Sequence, residues 1–252
     1  MEAIVELKDV HKTFRDFWLR PTVAAVDGLS LSVGKGEVFG LLGPNGSGKS
    51  TTIKMLLGLL SPSSGEVSLF GHSPRSIEAR QKLGYLPELS YLHPFLTARE
   101  TLGYYAGLCG LGRAESTCRA NQLLEMVGLA EVANRAVGGF SKGMARRVAL
   151  AASLIGKPEL LVLDEPTSGL DPISTKEVKT LIKALAEGGM TILMTSHLLA
   201  DAEDVCSRVM IVNHGRCVAE GRVSELGTSL ESFFLAKVGD VQDFKLAQFL
   251  KA

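Results

Sequence analysis

"GPNGSGKST", residues 43–51, is the stretch that decides the fold. It fits the pattern G-x-x-x-x-G-K-[S/T] through Gly43, Gly48, Lys49 and Ser50. An apolar run, "EVFGLLG" (37–43), precedes it and a segment of helical period, 49–59, follows it. Glycines let a backbone curl until successive N–H groups point inward, and a helix N-terminus behind them adds partial positive charge. Pro44, Asn45, Gly46 and Ser47 fill the loop, and Thr51 stands behind Ser50 at the start of the helix. In such a loop the lysine, here Lys49, reaches the β- and γ-phosphates of a nucleotide, and the hydroxyl, here Ser50, is placed to coordinate Mg²⁺.

Working outward, further apolar runs follow the same plan: "EVSLF" (66–70), "LLVLD" (160–164), "TILMTS" (191–196) and "VMIVN" (209–213). Helical patterns at 141–156 and 172–187 lie between several of them. Apolar strands alternating with helices predict a parallel sheet covered on both faces. The first 35 residues are β-rich, with "IVELKDV" and "AAVDGLSLSV" as strands, whereas 97–135 carries helical patterns and almost no strand signal. The expected fold class is therefore α/β: a P-loop NTPase core with a mostly parallel sheet, an N-terminal antiparallel β subdomain, and an inserted α-helical subdomain at about 88–156. A short helical tail is expected over 236–252.

Two acids end the run "LLVLDEP": Asp164 and Glu165. Carboxyl ends of strands in an α/β sheet face the ligand crevice. Asp164 is thus expected to reach Mg²⁺, and Glu165 to orient and deprotonate a water aimed at a γ-phosphate. His197 ends "TILMTSH" and is expected to hydrogen-bond the γ-phosphate and that carboxylate together.

Bulk properties narrow the rest. Lys and Arg total 27, balanced by 27 Asp and Glu, which removes the basic surplus of a general nucleic-acid binder, so no nucleic acid is expected. The N-terminus "MEAIVELKDV" lacks the pattern of a secretory signal, and no stretch reaches the ~18 unbroken apolar residues of a membrane span. Cys109, Cys118, Cys206 and Cys217 are scattered without metal-ligand spacing, as expected of idle thiols in a reducing, cytoplasmic compartment.

A second glycine-rich junction, "GGFSKGMARRVALAASLIG" (138–156), runs into a helix for which Ser141 is a good N-cap, with Arg146 and Arg147 beside an apolar run. Two anion cradles in one chain either hold a single nucleotide together or serve different halves of a site, and spacing does not choose between these.

The motifs "GPNGSGKST", "GYLPE", "FSKGM", "LLVLDEPTSGLD" and "TSH", in this order, resemble the ATP-binding subunits of ABC transporters over about residues 4–235. The resemblance implies an ATPase domain over 1–235 that binds ATP and Mg²⁺, forms a head-to-tail homodimer on ATP binding, and drives a separate integral membrane permease from the cytoplasmic face. Each ATP then lies between one copy's P-loop and the other's signature motif, which Ser141, Lys142, Gly143 and Met144 match here. Glu165 resembles the catalytic base, His197 the switch histidine, and Asp171 the residue linking the two sites. Charge on the reacting phosphate falls to Lys49, His197, Mg²⁺ and Ser141 of the partner subunit. Glu88 in "GYLPE" stands where most members carry a Mg²⁺-sensing glutamine. Lys142 and Met144 replace a glycine and a glutamine of the commoner signature, and with Glu88 they resemble the branch that drives ABC-2-type exporters. Phe14 matches the adenine-stacking aromatic, with Phe17 and Trp18 as rivals in the loop that follows. An ABC-type ATPase that clamps or regulates a non-transport complex is the alternative reading.

Overall fold

In a computed structural model the chain is described over residues 3–15, 17–18, 20–226 and 229–238. Strands β1 (Ala3–Arg15) and β2 (Pro21–Gly34) form a long antiparallel hairpin. Val5, Leu7 and Val10 of β1 face Val33, Leu31 and Leu29 of β2, and all six are buried. The Gly34–Glu37 turn then delivers the chain into β3 (Val38–Leu42), which is buried along its whole length.

The P-loop follows β3 and leads into α1 (Lys49–Leu56). Next come β4 (Ser64–Leu69), the short helix α2 (Ile77–Gln81) and β5 (Leu83–Leu86). Between β5 and the next strand stand three helices: α3 (Ala98–Leu108), α4 (Arg113–Met126) and α5 (Lys142–Ser153). Helix α3 opens on a full capping box, with Thr97 and Glu100 each bonding the other's backbone N–H. The chain continues through β6 (Leu160–Leu163), α6 (Pro172–Glu187), β7 (Thr191–Ser196), α7 (Leu199–Val205), β8 (Arg208–Asn213) and β9 (Arg216–Arg222) to α8 (Leu230–Val238). Helix α8 runs across position 235/236, where the tail is expected to begin, and residues 239–252 of that expected tail lie outside the described residues.

Two sheets result. The main one has six strands in the order β5-β6-β7-β3-β8-β9, parallel except for β9, and the smaller has three in the order β2-β1-β4, antiparallel throughout. The central strands read as unbroken apolar runs because both their faces are covered. Leu160 and Val162 of β6 pack in the cluster shared with the small sheet and α1, while Leu161 and Leu163 pack among α3, α4 and α5. Strand β7 divides in the same way, Leu193 on one side and Ile192 and Met194 on the other. Each such side chain contributes about 1.5–3 kcal/mol by its burial.

One strand is not where its apolar run placed it. "EVSLF" belongs to β4 in the antiparallel sheet, paired with β1 through Leu69 and Val5. Its alternation of Glu66 and Ser68 with Val67 and Leu69 is the period of a half-exposed strand, and Ser64–Glu66 are exposed accordingly. Strands β5 and β9 lacked a sequence signal, the first being four residues long and the second a largely exposed polar edge.

Candidate active site

The strand order β6-β7-β3 sets three C-terminal ends side by side, with Leu42 level with Ser196 and Leu163 with Met194. The P-loop leaves β3, Glu165 leaves β6 and His197 leaves β7, so three distant motifs meet above one edge of the sheet. They border a cavity of about 760 Å³, lined from the P-loop by Asn45, Gly46, Ser47, Gly48, Lys49, Ser50 and Thr51. Glu88, Glu165 and His197 line it too, as do Phe14, Val23, Ala24 and Ala25 of the β1–β2 hairpin.

The loop itself is shaped for an anion. Gly48 is the N-cap of α1 at φ 110° and supplies no side-chain cap, which leaves N–H groups of the first turn for an external acceptor. A Cβ on Gly43 would run into the Val212 carbonyl oxygen and the Ser47 side chain, so only glycine lets the loop turn there. Ser47 Oγ is buried and has no hydrogen-bond partner among the described residues, an orphaned hydroxyl inside the cradle. Lys49 Nζ donates to the carbonyls of Gly43 (2.7 Å) and Pro44 (3.2 Å). Burial pushes its pKa down, opposed by the negative charges of Glu165 and Asp164. These features fit a polyphosphate.

The acids are held tightly. Glu165 Oε1 lies 3.8 Å from Lys49 Nζ, and Oε2 lies 2.7 Å from His197 Nδ1. Glu165 has φ 47°, a left-handed backbone that glutamate adopts only under restraint. The restraint is visible: its N–H donates to Thr195 Oγ1 at 3.0 Å, and that hydroxyl donates onward to Asp164 Oδ1 at 2.6 Å. The Glu165 carbonyl accepts from Arg146 Nη2 at 2.9 Å. Asp164 and Glu165 are both 8% exposed, and Thr195 is fully buried.

The second cradle lies elsewhere. Ser141 caps α5, its Oγ accepting from Met144 N–H at 3.2 Å. Gly143 is buried because α5 starts against α6, where a Cβ would strike the Ser174 side chain. Lys142 extends its amine over Gly169. Asp171 caps α6, accepting from Ile173 N–H (3.1 Å), Ser174 N–H (3.0 Å) and Ser174 Oγ (2.6 Å). Ser141, Lys142, Gly143, Met144 and Asp171 therefore sit together at the starts of two helices, and none of them lines the P-loop cavity of their own chain. Among the aromatics Phe14 lines the cavity, whereas Phe17 and Trp18 stand 90% and 71% exposed and pack edge to face on each other at 5.4 Å.

Sequence reasoning overlooked Thr195, Ser168 and His214, and read Arg146 only as a helix residue. Ser168 and His214 line the cavity. Thr195 stands next to last in β7, two residues before His197, which follows the end of the strand.

The family model described as ABC transporter matches residues 26–168. The linearmycin resistance ATP-binding protein LnrL of Bacillus subtilis is 44% identical over 207 residues, covering 81% of this chain and 67% of its own length. An uncharacterized ABC transporter ATP-binding protein of Synechocystis sp. is 41% identical over 226 residues, covering 88% of this chain. The chain spans 64% of that relative's length. Among solved structures, a dimeric ATP-binding cassette in a post-hydrolysis state bound to ADP and Pi superposes with a TM-score of 0.77 at 28% identity, over 87% of this chain and 98% of that one.

Proposed function

The chain belongs to the ABC transporter family, and from that premise we propose that it is the ATP-hydrolysing subunit of an exporter, working as a head-to-tail pair on a separate membrane permease. The observation that carries the reading is the meeting of Lys49, Glu165 and His197 at one cavity whose P-loop leaves a buried hydroxyl and a helix N-terminus open to an anion.

The residues divide the work. P-loop N–H groups and Lys49 hold the β- and γ-phosphates, and Phe14 stacks on adenine. Glu165 orients a water and takes its proton as that water attacks the γ-phosphate in line. His197 fixes the Glu165 carboxylate through Oε2 and leaves Oε1 for the water. Ser50, Asp164 and Glu88 are the side chains that would hold Mg²⁺. Among the described residues no three His, Cys, Asp or Glu side chains gather to hold a metal by themselves. Bound there, Mg²⁺ supplies neutralising charge to the β- and γ-oxygens.

Ser141, Lys142, Gly143 and Met144 serve the other copy's ATP, which accounts for their standing outside their own cavity. Dimerisation is further supported by the paired arrangement of the cassette bound to ADP and Pi. Among the described residues no helix is long and apolar enough to cross a membrane. In this reading the subunit sits on the cytoplasmic face of the separate permease. An ABC-2-type exporter is favoured by Glu88, Lys142 and Met144 and by the resistance function named for the B. subtilis relative.

The test is capture of tagged Glu165→Gln protein from gently solubilised host membranes in Mg-ATP. A co-purifying polytopic membrane protein supports the reading. Soluble partners alone, on a folded and ATP-bound bait, overturn it in favour of a clamp or regulator.

A further inference from the structure

Arg146 lies on α5, five residues beyond Ser141, and is 6% exposed. Its guanidinium joins two segments that are far apart in sequence. Nη1 donates to the carbonyl of Pro87, to that of Glu88 at 3.0 Å and to Ser90 Oγ at 3.1 Å. Nε donates to the Pro166 carbonyl at 2.9 Å, and Nη2 to the carbonyls of Asp164 (3.0 Å) and Glu165 (2.9 Å). All but one of these acceptors are backbone oxygens. Burial pushes the guanidinium pKa down to about 10, opposed by the charges of Asp164 and Glu88, and among the described residues no carboxylate oxygen bonds to it.

An arginine used only to neutralise acids would bond their carboxylates. This one holds main chain. The three carbonyls it takes from Glu88, Asp164 and Glu165 belong to residues whose side chains are aimed at, or brace, the hydrolysis site. A planar fork of five donors spans two segments at once, which an ammonium on a flexible stem does not. The neighbouring Arg147 works differently, donating from Nη1 to the Val127 carbonyl at 3.1 Å and placing Nη2 3.6 Å from Glu177 on α6. Of the pair, Arg146 is the one that ties α5 to the catalytic strand end.

We propose that Arg146 is a positioning residue that locks the Ser141 end of α5 to the backbone under Glu88 and Glu165, so that a subunit's signature segment and its own catalytic carboxylate move as one body. The proposal rests on the head-to-tail reading given above, and extends it. Seating Ser141 on the partner's nucleotide then sets Glu165 over the subunit's own nucleotide, and the two sites of the pair are coupled through two copies of this side chain.

The experiment uses the full chain with Arg146→Met and Arg146→Lys, each alone and in the Glu165→Gln background. Mg-ATP affinity of the monomer, kcat and KM, and ATP-dependent dimerisation by light scattering are measured. Monomer affinity stays at the parent value, because the P-loop is untouched. In Arg146→Met, kcat falls about 10²-fold, the scale expected when a reacting group is displaced by an ångström, with KM little changed. In the Glu165→Gln background the same substitution raises the ATP concentration needed for dimerisation. Arg146→Lys keeps a buried cation but reaches one segment only, giving the same pattern at smaller amplitude, and it carries the test if the methionine chain fails to fold. Loss of kcat with dimerisation intact overturns the coupling. A lowered Tm with kcat and dimerisation both intact reduces Arg146 to a structural arginine and overturns the proposal outright. Failure of the Glu165→Gln parent to dimerise is read before any Arg146 variant is made, and sinks the head-to-tail premise instead.

Discussion

His197 grips the Glu165 carboxylate twice through one oxygen: its ring Nδ1 lies 2.7 Å from Oε2, and its backbone N–H donates to the same atom at 3.2 Å. The carboxylate thus cannot rotate freely, and Oε1 is left on the Lys49 side at 3.8 Å. With Nδ1 donating to Oε2, Nε2 of a neutral ring is an acceptor, so donation to a phosphate oxygen as well takes the doubly protonated ring.

Glu165→Gln is the first consequence. The amide keeps the size of the side chain and a hydrogen-bond acceptor for His197, but it does not take a proton from water. Turnover should fall about 10²–10⁴-fold, the usual contribution of a general base, while ATP binding persists. An ATP-bound dimer should then accumulate, seen by light scattering at saturating Mg-ATP. A chain that hydrolyses ATP normally with this substitution would show that Glu165 is not the base.

Thr195 carries the second. Its hydroxyl is the link between Asp164 Oδ1 and the Glu165 N–H, inside a fully buried environment. Thr195→Val leaves both groups unsatisfied at nearly unchanged volume. The cost is about 1–3 kcal/mol per orphaned group. For a chain of this size, each kcal/mol lowers Tm by roughly 2–4 °C. Because Glu165 holds a left-handed backbone, kcat should drop as well. Unchanged Tm and kcat, measured by thermal unfolding and phosphate release, would mean the bridge does not restrain Glu165.

Much of this architecture was legible in the sequence, for physical reasons that also mark where legibility stopped. Strands β3, β6 and β7 are apolar on both faces, so their runs stand out, and the P-loop, Asp164–Glu165 and His197 each follow directly from one of them. The P-loop was readable because its glycines are required by local geometry. Arg146 was not, since its acceptors at Pro87 and Pro166 are contributed by loops far away in the chain and are backbone atoms, which carry no side-chain signature. The edge strand β9 carries no apolar run because it is largely exposed and four of its seven residues are Arg, Glu or Gly, and the short apolar run of β4 does not announce β1 as its partner. Of the three aromatics the sequence offers for adenine stacking, Phe14 lines the cavity and Phe17 and Trp18 do not, which supports the first.

Asp171 offers a pH test. Its carboxyl is held below the ordinary value of 3.8, chiefly by the hydrogen bond from the Ser174 hydroxyl and then by the Ser174 N–H. A folded pKa below the unfolded one means that the ionised cap contributes stability above the ordinary value, and that this contribution is lost as pH falls through the folded value. Asp171→Ala should therefore be less stable than the parent at pH 7, and the gap in urea midpoint should close in acid. A gap that stays constant from about pH 5 down to about pH 2.5 would show that the charge of this cap is irrelevant to folding.

The last prediction separates one-chain from two-chain use of the signature. Gly143 is packed against Ser174 and Ser141 stands exposed at the start of α5, away from the cavity that holds Lys49. Ser141→Arg should leave the monomer's affinity for Mg-ATP intact, since no P-loop contact is lost, and should abolish hydrolysis by obstructing the partner's nucleotide. Lys49→Ala should instead lose nucleotide binding in its own site while leaving its signature sound. Mixing the two chains creates pairs with one sound composite site, built from the P-loop of the Ser141→Arg chain and the signature of the Lys49→Ala chain. In the Glu165→Gln background, such pairs should retain labelled ATP on a gel-filtration dimer peak that neither chain gives alone. If the mixture retains none while both chains remain folded, Ser141 does not act in trans, and the second cradle must find its anion within its own subunit.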